Sequence, residues 1–116
     1  MSKRTFLDAY VTCLLWSSTD DYGTPLDDNY EPDDFAPDAM ATITADCGAF
    51  YDAHNHLWQG AGMSDEQAGH DYWLTRQRHG AGFWDRGIGE AGRELTMLAH
   101  AAGEVYTYTS EGKLHV

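Results

Sequence analysis

The chain has 116 residues, 19 acids against 7 Lys and Arg, and a formal net charge of −12. That length fits a single compact domain, residues 1–116, with one modest core, and 42% hydrophobic and 13% aromatic residues belong to a folded chain rather than a disordered tail. The charge excludes a nucleic-acid-binding surface over most of the chain, because 14 acids and no Lys or Arg lie between Thr5 and Thr75, and phosphate needs those cations.

Residues 4–16, RTFLDAYVTCLLW, predict the first helix. Phe6, Leu7, Tyr10, Val11, Cys13 and Leu14 fall on one broad face at helical spacing, with Asp8 and Thr12 opposite. The opening MSKRTFLDAY lacks the apolar region and cleavage pattern of a signal peptide. No apolar run approaches the ~18 residues of a membrane span. A cytoplasmic protein is expected, with Cys13 and Cys47 as buried free thiols.

Residues 17–36 read as an acidic loop, broken by Gly23, Pro25, Pro32 and paired Asp residues, with a turn of helix expected around Pro32 to Phe35. Residues 18–38 hold eight carboxylates, Asp20, Asp21, Asp27, Asp28, Glu31, Asp33, Asp34 and Asp38, and no basic residue. Tyr22, Tyr30 and Phe35 are interleaved with them as anchors on the core or as contact residues. Residues 37–58 predict a second helix, with Pro37 in its first turn. Ile43, Cys47, Phe50, Leu57 and Trp58 lie on its core side, and Asp38, Asp46 and Asp52 on the face away from it.

Ser64 and Gln67 form a capping-box pattern for a third helix, 65–78, with Asp65 and Glu66 at its positive end and Arg76 and Arg78 in its last turn. HGAGFWDRGIG is an irregular turn. A fourth helix, 89–102, places Ile88, Ala91, Leu95, Leu98, Ala99 and Ala102 on one face and ends at Gly103. EVYTYTSEGKLHV alternates as two short strands joined at Ser110–Gly112. The fold expected is mainly helical α+β, four helices with a short C-terminal β-hairpin.

Familiar catalytic patterns find little footing. Gly87, Gly89 and Gly92 match G-x-G-x-x-G, but that motif needs a preceding strand and a parallel sheet. His54 and His56 on one helix point about 200° apart and cannot chelate together, and HExxH and CxxC are absent. No metal or cofactor is expected, and no catalytic residue is assigned.

The segment AGHDYWLTRQRHGAGFWDRGIGEAGRELTMLAHAAGEVYTY, residues 68–108, resembles a family of small uncharacterised proteins of tailed phages and prophages that share a GHD-aromatic-LTR segment followed by HGAGFWDRG. The resemblance implies a phage or mobile-element origin without a defined activity. In it, His79 to Gly87 is expected to be a structural corner, with Phe83 and Trp84 in the core and Asp85 pairing with Arg86. By size and acidity, though by no shared motif, the chain is also similar in type to DNA-mimic anti-CRISPR and anti-restriction proteins.

The leading expectation is therefore a phage-encoded, non-enzymatic inhibitor, an anti-CRISPR. It would block the basic DNA-binding surface of a host defence complex through Asp20, Asp21, Asp27, Asp28, Glu31, Asp33, Asp34, Asp38, Asp46 and Asp52, with Asp65 and Glu66 adding charge. It would bind neither nucleic acid nor membrane itself. The alternative is a ligand-binding or enzymatic site built from His70, Asp71, Arg76, His79, Asp85 and Arg86.

Overall fold

A computed structural model describes residues 2–116. Four helices are present, α1 (Lys3–Ser17), α2 (Pro37–Gly60), α3 (Asp65–Arg76) and α4 (Glu90–Ala102), followed by strands β1 (Tyr108–Ser110) and β2 (Lys113–His115). The mainly helical α+β architecture is the one the periodicities predict. The two strands pair antiparallel, with Thr109 opposite Leu114. Their turn uses Glu111 and Gly112, both at positive φ, as a two-residue hairpin turn requires. Among the described residues no helix is long and apolar enough to cross a membrane.

The helix ends follow local chemistry. Ser2 caps α1 by accepting from the Thr5 amide, and Ser64 caps α3 by accepting from the Gln67 amide. The Gln67 side chain does not return to Ser64, however; it donates to Asp71 at 2.9 Å. Pro37 stands in the first turn of α2, where its missing N–H costs nothing. Phe6 of α1 sits at the centre of an aromatic cluster, with ring centroids 5.2 Å from Trp58, 5.7 Å from Tyr51 and 5.8 Å from Tyr72. The buried apolar side chains form one cluster to which all four helices contribute.

α3 is the axis of this arrangement, and its contact with α1 is the most extensive between any two elements. Six consecutive residues, Asp71 to Arg76, are buried, so α3 is covered on every side. It is nonetheless a polar helix. Its stability therefore depends on pairing each polar group, because an unpaired buried donor or acceptor costs about 1–3 kcal/mol.

Candidate functional site

The acidic segment is folded onto the core. Asp20 accepts from the amides of Tyr22 and Thr24 at 2.8 and 3.0 Å, which closes a tight turn. The Leu26 amide donates to Ser18 O, and a single 3₁₀ turn, Leu26–Asp28, follows. A second 3₁₀ turn, Pro32–Asp34, is held by Asp34 accepting from the Glu31 amide at 2.8 Å. Leu26 and Phe35 are buried, Tyr30 packs against the core, and the Ala36 amide donates to Leu114 O in the hairpin. Phe35 and Tyr30 are thus anchors, whereas Tyr22 is 93% exposed.

This anchoring leaves the charge outside. Asp21, Asp27, Asp28, Glu31, Asp33 and Asp38 are exposed, and Asp20 and Asp34 are half-buried. Among the described residues none of these eight carboxylates has a Lys, Arg or His partner.

The helical acids differ. Asp46 stays partly exposed but pairs with Arg76 at 3.2 Å, because the α3 guanidinium needs an anion where it emerges from the core. Asp52 pairs with Lys3 at 2.8 Å. Neither is a free charge beside the loop. Asp65 is 6% exposed, so it adds nothing to an acidic surface. It accepts from Trp58 Nε1 and Gln59 Nε2, both at 2.9 Å, and from the Tyr51 hydroxyl at 3.0 Å.

Burial acts to raise the Asp65 carboxyl, but hydrogen bonds from Gln59, Trp58 and Tyr51 outweigh it and hold the group below the usual carboxylate value. A folded-state pKa below the unfolded ~3.9 gives stability present above that pH and lost as pH falls through the folded value. Asp65→Asn is therefore expected to flatten the loss of stability on acidification below about pH 4. Urea unfolding at pH 6 and pH 3 checks this, and an unchanged difference between the two would count against it.

Of the six residues of the second expected site, His70, Asp71, Asp85 and Arg86 lie together, while Arg76 and His79 do not join them. Asp71 is fully buried and takes a bidentate pair from Arg86, Nε to Oδ2 at 2.9 Å and Nη2 to Oδ1 at 2.7 Å. His70 lies beside it, Nδ1 3.7 Å from Asp71 Oδ1. Asp85 accepts from the Gly82 amide, which fixes the 3₁₀ turn Phe83–Asp85. Its contact with Arg86, 3.8 Å, is secondary to the Arg86–Asp71 pair. Arg76 follows Asp71 by five residues, about 140° around α3, and points to Asp46 and Tyr10. His79 is exposed in the turn after α3.

The corner itself is built as a joint. The Thr75 hydroxyl accepts from the Phe83 amide at 3.1 Å, and Phe83 is fully buried. Trp84, expected in the core, is 53% exposed, because the 3₁₀ turn can aim only one of two adjacent rings inward. Removing Arg86 would leave the Asp71 carboxylate buried with Gln67 as its remaining donor. Arg86→Ala is accordingly expected to cost about 3 kcal/mol, whereas Arg86→Ala combined with Asp71→Leu recovers part of that loss. Chemical denaturation of the three proteins checks this, and additive losses would refute it.

Neither thiol is activated: burial pushes Cys13 up to about 12 and raises Cys47 as well. Among the described residues no group of three His, Cys, Asp or Glu is placed to hold a metal ion. The buried roles of Asp65 and Arg76 were missed by sequence reasoning. Their signal was a helix whose polar residues interrupt its own apolar face. No protein-family model, curated protein or solved structure matches the chain.

Proposed function

We propose that the protein is a binding protein without catalytic activity, whose loop 18–38 occupies a basic nucleic-acid-binding surface as a DNA mimic. The partner class is a DNA-binding defence complex of a bacterial host, with a CRISPR surveillance complex as the leading case. The protein would then be a phage-encoded inhibitor acting in the bacterial cytoplasm. One observation carries the reading: eight carboxylates without a cationic partner among the described residues, on a segment pinned to the core through Leu26, Tyr30 and Phe35.

A solvated face that only aids solubility needs no such anchoring. Fixed like charge raises the self-repulsion of the folded state, and a cationic partner relieves it. Duplex DNA carries a charge every ~1.7 Å of its axis, so a surface that receives it is rich in Lys and Arg. The alternative, a ligand or catalytic site among His70, Asp71, Arg76, His79, Asp85 and Arg86, has less support, because Asp71 and Arg86 spend their polar atoms on each other.

The test is a gel-shift assay of a purified CRISPR surveillance complex with labelled target duplex. The native protein is expected to suppress duplex binding. A variant carrying Asp→Asn or Glu→Gln at Asp21, Asp27, Asp28, Glu31, Asp33 and Asp38 is expected to inhibit about tenfold or more weakly, since charge complementarity governs both encounter and partner choice. All six side chains are exposed and their mutual repulsion is relieved, so the variant stays folded with a thermal midpoint no lower than that of the native protein. Equal inhibition by both proteins would refute the mechanism, and no inhibition by either would refute this choice of partner.

A further inference from the structure

A groove of about 310 Å³ lies between α2, Tyr10 of α1 and the chain entering β1. Tyr10 and Ile43 form its floor, Tyr106 and Tyr108 one wall, and Asp46 and Glu104 carry its charge. We propose that this groove receives an arginine side chain of a basic partner polypeptide. The inference rests on the reading of a cationic partner above and adds a second, discrete contact to it.

The wall is pre-formed. Gln77 grips Val105 from both directions, Nε2 to the carbonyl at 2.8 Å and the amide to Oε1 at 2.7 Å. Arg76 donates to the carbonyls of Ala102 and Gly103 at 3.0 and 2.8 Å. The backbone that carries Glu104 and Tyr106 is therefore fixed without any ligand. Tyr106 stacks on Tyr108 at 5.7 Å, and Tyr108 on His115 at 5.1 Å, with planes within 19° and 16°. Three stacked rings whose outermost member, Tyr106, is 75% exposed offer π faces to a cation.

The protein already houses a guanidinium in this chemistry. Arg76 lies over the Tyr72 ring at 5.3 Å, bonds the Tyr10 hydroxyl and pairs with Asp46 Oδ2. That internal cation offsets one negative charge of the groove. Asp46 Oδ1 takes no hydrogen bond among the described residues, and Glu104 has no cationic partner among them. The groove thus repeats, one layer further out, an aromatic wall with a carboxylate at its mouth. A guanidinium satisfies both: it is flat enough to stack on a tyrosine and forked enough to bond a carboxylate. A phosphate or a nucleotide would meet like charge there.

The test is an NMR titration of the ¹⁵N-labelled protein with acetylated hexa-arginine amide, and with hexa-glutamine as the uncharged control. Saturable shifts at Glu104, Tyr106 and Tyr108 are expected with hexa-arginine alone. Glu104→Gln and Tyr106→Ala, both at exposed positions, are each expected to weaken the groove response by about threefold to tenfold, while the six-residue loop variant leaves it in place. Equal shifts with hexa-glutamine would overturn the cationic assignment. Hexa-arginine shifts confined to residues 18–38 would overturn the groove and leave the loop reading standing. Groove shifts with a silent loop would support the groove and count against the loop.

Discussion

Gly69→Ala is expected to lower stability by about 3 kcal/mol, while the same change at Gly48 raises it by roughly 0.5–1 kcal/mol. Both glycines are helical, so the lost conformational entropy is common to the two, and Ala favours the helix at each. The difference lies in what the methyl group meets. At Gly69 an added Cβ would overlap the carbonyl oxygen of Phe6, a backbone atom held in the middle of the most extensive helix contact. Relief requires α1 and α3 to separate, and Phe6 cannot move without disturbing its stacking on Trp58 at 5.2 Å. At Gly48 the nearest atom outside the local helix is Lys3 Cδ, 3.8 Å away, the end of a flexible side chain. Thermal melts of the two variants against the parent settle the sign of each, and a neutral Gly69→Ala would remove the close approach of α1 and α3 from the account.

Arg76→Met is expected to cost about 3–5 kcal/mol, a large share of the 5–15 kcal/mol that holds an ordinary domain folded. Met fills most of the aliphatic volume, so the cost isolates the guanidinium. Its nitrogens serve four acceptors: Ala102 O, Gly103 O, Asp46 and the Tyr10 hydroxyl. The two carbonyls belong to the end of α4, whose last C=O groups have no intrahelical donor. Arg76 therefore closes one helix with a side chain from another. Burial raises the Tyr10 hydroxyl and pushes Tyr72 up to about 12, so both rings stay neutral beside the cation. Urea unfolding with linear extrapolation measures the loss. A cost below about 1 kcal/mol, the scale of an exposed ion pair, would show that the guanidinium is not a structural cap.

Regular elements were legible because each is signalled locally. The 3.6-residue spacing of Phe6, Tyr10 and Leu14, the Pro37 start of α2, the Ser64 cap and the Ser110–Gly112 turn are facts about neighbours in sequence. What was not legible concerns partners far apart. Asp46 reads as a solvent-facing acid until Arg76, thirty residues on, is placed against it. Asp65 reads as a helix-dipole charge until Trp58, Gln59 and Tyr51 close over it. Trp84 and Phe83 are adjacent and equally apolar, and only the direction of a short turn separates the buried ring from the exposed one. The loop acids were legible as charge, but their anchoring through Leu26 and Tyr30 depends on the packing of α1 and α2 beneath them.

The structure thereby separates two uses of acidity in one chain. Asp46, Asp65 and Asp71 are internal counter-charges or acceptors that let a polar helix be buried. Among the loop acids, Asp20 and Asp34 close turns by accepting backbone amides. Asp21, Asp27, Asp28, Glu31, Asp33 and Asp38 are instead exposed without a cationic partner among the described residues; in the function proposed above, a basic partner supplies it.

The most direct measurement of that claim is binding of the labelled protein to an immobilised, purified surveillance complex across a salt series, with target duplex as competitor. Binding is expected to weaken steeply as salt rises and to be displaced by duplex, since under the proposed function both ligands would address the same cations. Binding that persists unchanged in high salt and alongside saturating duplex would contradict it.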